Sequence, residues 1–131
     1  MELLLTKKTK IKDVKKAFSL YFPFLKLEFF QRRHNKGESS WFERAMHDWK
    51  YLEEEPAKLK EGVFAFTPTM TVAEFEKRLQ EEHGLPVQVF RKAGSVWLET
   101  VQTDNMTLEK QNALGEESLR AERFNIHTLF L

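Results

Sequence analysis

The feature that most constrains the fold of this chain is an approximate internal repeat, in which the second half follows the first at a spacing of 61 residues. The matched apolar positions are Leu3 with Phe64, Leu5 with Phe66, Ile11 with Val72, Val14 with Phe75, Phe18 with Leu79 and, after one inserted residue, Leu25 with Val87 and Leu27 with Val89. Each half therefore predicts the same order of elements: a strand, a helix and a second strand.

The spacing of apolar residues predicts the elements within each half. Alternating runs are typical of strands, and apolar residues three or four positions apart are typical of amphipathic helices. The second helix has clear end signals, because Thr71 and Glu74 form a capping box and Gly84 suits the left-handed residue that ends a helix. A turn signal at Gly94 predicts an extra hairpin strand. The two helical stripes are Ile11, Val14, Phe18 and Phe22, and Val72, Phe75 and Leu79.

These elements predict one α+β domain over residues 1–131, with repeat halves at residues 1–36 and 61–102. Two consecutive strand-helix-strand units favour a ferredoxin-like split βαβ layout, an antiparallel sheet with two main helices. A helix is predicted as an insertion at residues 39–55, and a C-terminal helix and tail at residues 105–131, with the helix ending or interrupted near Gly115. A β-grasp-like fold is the alternative, from the helix and late turn of the second half.

Composition limits the classes of function. The 21 Lys and Arg residues nearly balance 20 Asp and Glu, so no net field attracts nucleic acid or lipid. The absence of cysteine excludes disulfides, thiolate metal sites and cysteine nucleophiles, and it suits a reducing compartment. The first residues are too weakly apolar for a signal peptide or a membrane span. We therefore expect a cytoplasmic protein without membrane contact.

The residues that most often carry catalysis give no recognisable active site. His47 follows Glu43 by four positions, but a usual metal site needs a third protein ligand. His83 precedes the end of a helix, where a cation interacts favourably with the helix dipole. The sequence contains no phosphate-binding glycine loop, nucleophile elbow or zinc-protease motif. We predict no catalytic residues, metal or cofactor, and a protein that is not an enzyme.

Two surfaces are candidates for binding. Basic residues follow the first strand and the second strand, whose ends meet at one edge in a split βαβ fold, beside the amides that open the first helix. This basic rim predicts a phosphate-anion or nucleic-acid site. The second face of the sheet is too apolar to be left bare, so it is either covered by the inserted helix and the tail or binds a protein partner or a second copy. The rim comprises Lys7, Lys8, Lys10, Lys12, Arg32 and Arg33, and the partner face comprises Leu4, Phe30, Ala65 and Phe90.

Three runs of the sequence, FPFLKLEFF (residues 22–30), VQVFRKAGSVWLET (residues 87–100) and TLEKQN (residues 107–112), resemble a family of small uncharacterised proteins from Bacteroidetes-type bacteria. The resemblance spans most of the chain and implies a bacterial domain, but it implies no activity, cofactor or site residue. The prediction from the sequence is a non-enzymatic protein-binding or scaffolding domain that acts through the partner face. Nucleic-acid or phosphate binding through the basic rim is the alternative.

Overall fold

A computed structural model describes residues 1–29, 48–54 and 59–129, with the backbone alone for residues 54 and 124–129. Its elements are β1 (Glu2–Leu5), α1 (Ile11–Tyr21), β2 (Leu25–Phe29), β3 (Gly62–Ala65), α2 (Val72–His83), β4 (Val87–Ala93), β5 (Val96–Glu99) and α3 (Leu108–Leu129), with short 3-10 helices at Leu52–Glu54 and Val101–Thr103. The mixed α+β class predicted from the sequence is confirmed.

The strands form two antiparallel sheets. One contains β1 and β3, and the other has the order β2-β4-β5. Leu3 lies opposite Phe64 in the first sheet, and Leu27 lies opposite Val89 in the second. Across the described ranges no hydrogen-bonded ladder joins the two sheets, so a ferredoxin-like arrangement with one antiparallel sheet is not confirmed.

The core lies where the inward faces of both sheets meet α1 and α2. The predicted stripes of both helices are buried, because their apolar residues fall on one side of each helix at a period of 3.6. Aromatic rings fill its centre, with Phe18 and Phe75 at a centroid distance of 5.2 Å and Phe64 and Phe75 at 5.5 Å. The predicted ends of α2 are also confirmed: the Glu74 N–H donates to Thr71 Oγ1 at 3.1 Å, and Gly84 is left-handed with φ 71°.

The helix α3 continues through Gly115 to Leu129, so the prediction that it ends or is interrupted near Gly115 is wrong. The glycine serves close packing instead. A Cβ at this position would lie 2.9 Å from Phe24 Cβ and 3.0 Å from Phe24 O. One turn later, Ser118 Oγ accepts from the Gly94 N–H and donates to the Lys92 carbonyl, which ties α3 to the β4–β5 hairpin.

The prediction of an inserted helix at residues 39–55 is wrong over residues 48–54, the part of this range that the structure describes. Residues 39–47 and 55 lie outside the described residues. Residues 48–54 form a turn, a single β-bridge from Tyr51 to Lys10 and a 3-10 helix, with no α-helix. The reason is tertiary, because the backbone of this segment bonds to the start of α1 rather than to itself.

Candidate functional site

The segment from Asp48 to Leu52 covers the beginning of α1. The Ile11 N–H donates to the Lys50 carbonyl, and the Lys12 N–H donates to the Asp48 carbonyl, both at 2.9 Å. The Leu52 N–H returns a bond of 2.9 Å to the carbonyl of Thr9, and the Leu52 side chain is fully buried in the core. The first amides of a helix have no partner within the helix, and here a distant backbone segment supplies one.

We call residues 48–52 the capping segment. Its bonds to the first amides of α1 correct one element of the basic-rim hypothesis. The hypothesis placed the rim beside exposed amides at the start of α1, where they would bind an anion. The amides of Ile11 and Lys12 are instead bonded to the cap, and those of Asp13 and Val14 donate to the Lys10 carbonyl. An anion at this end of the molecule must therefore be held by side chains.

The rim residues do not all share one environment. Lys7 and Lys8 are exposed in the turn that follows β1. Lys10 precedes α1, and Lys12 lies in its first turn, both partly exposed. Arg32 and Arg33 lie outside the described residues, so their approach to the lysines stays a prediction.

Two of the rim lysines contact exposed aromatic rings of the capping segment. The Lys12 Nζ lies 4.2 Å from the centroid of the Trp49 ring. The Lys10 Nζ lies 5.7 Å from the Trp49 centroid and 5.6 Å from that of Tyr51. Despite these contacts, Trp49 remains 70% exposed. We call the group Lys10, Lys12, Trp49 and Tyr51 the first platform.

An ionic network leads from this platform onto β2. The Lys15 Nζ lies 2.8 Å from Asp48 Oδ1, next in sequence to Trp49, and 3.1 Å from the carboxylate oxygens of Glu28. Glu28 Oε1 is in turn 3.4 Å from the Lys26 Nζ. Burial lowers the pKa of Lys15, but the hydrogen bonds and charges of Asp48 and Glu28 outweigh it, so the pKa is raised overall. The ammonium therefore remains charged within the network.

A second group of lysines surrounds Trp97 on β5. The Lys26 Nζ lies 5.0 Å from the Trp97 ring centroid, and the Lys92 Nζ lies 4.7 Å from it. The same Lys26 Nζ is 5.4 Å from the centroid of Phe90. Contacts of this length are typical of cation-π attraction. We call the group Lys26, Phe90, Lys92 and Trp97 the second platform.

The predicted partner face does not form one exposed surface. Leu4 and Ala65 are exposed on the β1–β3 sheet, as expected from strand alternation. Phe90 is on the other sheet and only 6% exposed, so it does not share an exposed surface with Leu4 and Ala65. Strand alternation correctly predicts the side of the sheet on which Phe90 lies. It does not predict that the Lys26 side chain lies over the Phe90 ring, because Lys26 is on a different strand. Phe30 lies outside the described residues.

A different apolar surface lies on β5, the outer strand of its sheet. All four of its side chains are exposed. Val96 is 60% exposed and Leu98 is 46% exposed, and Val101 beyond the strand is 54% exposed. Within the described ranges, no other strand pairs with the outer edge of β5.

Two titratable groups, the half-buried Glu76 and the buried His83, have structural partners. Burial raises the pKa of Glu76 to about 7, a hydrogen bond from the Val89 N–H opposes the shift, and the charge of Asp104 adds to it. The His83 Nδ1 is 2.7 Å from the Lys60 carbonyl. In the part of the chain that the structure describes, no three His, Asp or Glu side chains converge as a metal site would require.

Comparison of the chain with protein-family models, with curated proteins and with solved structures yields no match. None of the helices in the described ranges has the length and apolar character needed to cross a bilayer.

Trp49, Tyr51 and Trp97 were not predicted to be surface residues. In the helix predicted at residues 39–55, Trp49 falls on an apolar stripe with Phe42, Ala45, Met46 and Leu52, a pattern typical of a buried helix face. A signal was available in the run Trp49-Lys50-Tyr51, where two aromatic residues flank a lysine at the period of an extended chain.

Proposed function

We propose that this protein is a non-enzymatic binding module whose first platform takes single-stranded nucleic acid. The observation that carries the proposal is the environment of Trp49, a large ring that is 70% exposed with two lysine ammonium groups within 6 Å of it. This supports the alternative prediction from the sequence, with side chains in place of helix amides.

The chemistry of the first platform matches the ligand in two ways. An exposed indole face can stack on a base, an interaction worth about 1–3 kcal/mol per base and tolerant of sequence. Ammonium groups beside the ring neutralise phosphates and release counterions. Lysine stems can also shield an exposed tryptophan without any ligand. Trp49 favours a ligand over shielding alone, because most of its surface remains open after both lysines have been placed.

The test is a fluorescence titration of the protein with an oligothymidylate at low salt. We expect quenching of tryptophan emission on binding, and an affinity that falls with rising salt. Trp49→Ala should weaken binding by about tenfold, while Trp49→Phe, which keeps a stacking face, should retain most of it. Lys10→Glu combined with Lys12→Glu should reduce both affinity and salt dependence. Lys110→Glu, an exposed lysine on α3, is the matched charge control.

Failure of the wild-type protein to bind the oligothymidylate at low salt would overturn the proposal. Binding that is equally strong in Trp49→Ala and in the double lysine variant would also overturn it, because the first platform would then contribute nothing. Separate unfolding measurements on each variant establish that a lost affinity is not a lost fold.

A protein contact is the second candidate, and the exposed apolar side chains of β5 favour it. We propose a second copy of this chain as the occupant, with the two β5 strands paired antiparallel about a two-fold axis. The outer edge of β5, with which no other described strand pairs, can pair with an identical edge, and each chain would then contribute Val96 and Leu98 to the same interface. This candidate moves the predicted protein interface from the partner face to β5.

Sedimentation velocity over a range of protein concentrations tests this candidate. We expect a reversible dimer that Leu98→Lys abolishes and that Leu20→Lys, at a more exposed site on α1, leaves unchanged. A monomer at every concentration would exclude the β5 pairing.

Four finer predictions from the sequence also remain proposals. The internal repeat is supported by strand register at two of the residue pairs it equates, because Leu3 lies directly opposite Phe64 and Leu27 directly opposite Val89. The ferredoxin-like layout is supported by the antiparallel pairing of β1 with β3. A cytoplasmic location and kinship with the Bacteroidetes-type family rest on the sequence alone.

A further inference from the structure

We infer that a bound single strand continues from the first platform to the second, so that Trp49 and Trp97 stack bases of one oligonucleotide. This inference rests on the proposed function, because it extends the same ligand across the face of the β2-β4-β5 sheet. The two platforms are separate in the sequence and belong to different elements, so they are independent observations.

A chain of ion pairs connects the two platforms. The path runs from Asp48, beside Trp49, through Lys15 and Glu28 to Lys26 in three contacts of 2.8, 3.1 and 3.4 Å. The Lys26 ammonium then reaches the Trp97 ring at 5.0 Å. From Asp48 onward every step is a direct side-chain contact, and Asp48 is next to Trp49 in the sequence.

The second platform repeats the chemistry of the first. Trp97 is 36% exposed and has two ammonium groups within about 5 Å, from Lys26 and Lys92. The three residues lie on adjacent strands, and Lys92 is directly opposite Trp97 in the β4–β5 ladder. A strand surface holds these groups at fixed spacing, whereas a solvated lysine on a loop would be free to move away.

The charges along the path indicate how a strand would lie on it. Lys15 and Lys26 are balanced by Asp48 and Glu28, so the middle of the path is neutral. The other cations of the two platforms, Lys10 and Lys12 at one end and Lys92 at the other, flank this neutral centre. We therefore place the phosphate contacts at the two ends and expect removal of the Glu28 charge to strengthen binding.

An acidic peptide is the competing ligand for the same lysines. It would use their charge but would gain little from the indole faces, whereas a nucleic acid needs both. Affinity for polyglutamate that equals affinity for oligothymidylate, and that Trp49→Ala and Trp97→Ala leave unchanged, would assign the surface to acidic protein segments and overturn the inference.

The experiment compares short and long oligothymidylates, of about 4 and about 16 nucleotides, lengths that bracket known single-stranded binding sites. We expect Trp49→Ala to weaken both, and Trp97→Ala to weaken the long one by about tenfold while leaving the short one unchanged. Lys92→Glu should give the same length-selective loss without removing a packed ring. Glu28→Gln should tighten the long oligonucleotide and steepen its salt dependence.

The outcomes separate this inference from the proposal on which it rests. If the wild-type protein binds neither oligonucleotide, the proposed function fails. If it binds both through Trp49, and neither Trp97→Ala nor Lys92→Glu affects the long one, the proposed function stands and the second platform is excluded. Weaker binding of the long oligonucleotide by Glu28→Gln would contradict the assigned path.

Discussion

The carboxylate of Glu76 on α2 accepts a hydrogen bond of 2.8 Å from the backbone N–H of Val89 on β4. The ladder between β4 and β5 begins only at Phe90, opposite Glu99. At Val89 three side chains take the place of a neighbouring strand, because Thr100 Oγ1 donates to the Val89 carbonyl at 2.8 Å and Gln88 Nε2 donates to it at 3.0 Å. One of these groups, the carboxyl of Glu76, can change its charge.

We expect the stability of the protein to fall as pH rises past neutrality because of Glu76. Its folded pKa of about 7 lies above the ordinary value of 4.5, so the fold favours the protonated form. The contribution is fully present below pH 4.5 and is lost as the carboxyl ionises through pH 7, a difference of about 3 kcal/mol at most. Urea unfolding at about pH 5 and about pH 8 measures it.

The control for this dependence is Glu76→Gln, which keeps an acceptor for the Val89 N–H but cannot ionise. This variant should be more stable than the parent at the higher pH and nearly equal to it at the lower. Glu81→Gln, at an exposed site on the same helix, should leave the profile unchanged. An equally steep profile in Glu76→Gln would assign the pH dependence to other groups.

Gly115→Ala should destabilise the protein, although alanine is the better helix former. The new Cβ would overlap Phe24, whose Cβ and carbonyl oxygen lie within 3.0 Å of its position. Overpacking of this kind costs about 1–3 kcal/mol, which exceeds the gain of about 1 kcal/mol from helix propensity. Thermal unfolding checks the sign. Ala113→Gly, at an exposed site on α3, measures the propensity alone, and a stabilised Gly115→Ala would refute the close packing.

Leu52 and Trp49 should separate folding from binding within one short segment. Leu52→Ala should cost about 2–5 kcal/mol, because its side chain is fully buried where the segment joins the core. Trp49→Ala should change stability by less than about 1 kcal/mol, because the ring is mostly exposed. Denaturant unfolding of both variants measures this difference, and a large loss in Trp49→Ala would mean that the ring serves the fold.

Thr71→Ala should cost about 1 kcal/mol through loss of the helix cap. The threonine side chain accepts the N–H of Glu74 at the start of α2, and alanine leaves that donor without its acceptor. Thr69→Ala, two residues earlier and exposed, should have a smaller effect in the same thermal unfolding measurement. Equal losses in the two variants would remove the cap as the cause.

Local patterns were predictable from the sequence because they depend on neighbours along the chain. The stripe through Ile11, Val14 and Phe18 identifies the buried side of α1, and Thr71 and Gly84 mark the two ends of α2. Each of these follows from helical period or from capping chemistry alone. The α+β class follows from the order of such elements.

The pairing of strands was harder to predict from the sequence, because alternation assigns a side chain to a face of the sheet but does not identify the neighbouring strand. The alternation around Leu27 predicts a buried strand residue in any sheet, and only the structure places it opposite Val89. The first platform was missed for a related reason. Helical spacing continues through Trp49 and Leu52, while the bonds from this segment to Thr9 and Ile11 span about forty positions of the sequence.

The cap on α1 has a consequence for how the sequence can vary. Its bonds run through the carbonyls of Asp48 and Lys50, and any residue at those positions carries the same carbonyl. With Leu52 as the anchor, residues 49–51 can be exchanged while the helix start stays bonded. The exposed side chains of this capping segment can therefore be varied at little cost to the fold, in the manner of an antibody loop held on a constant framework.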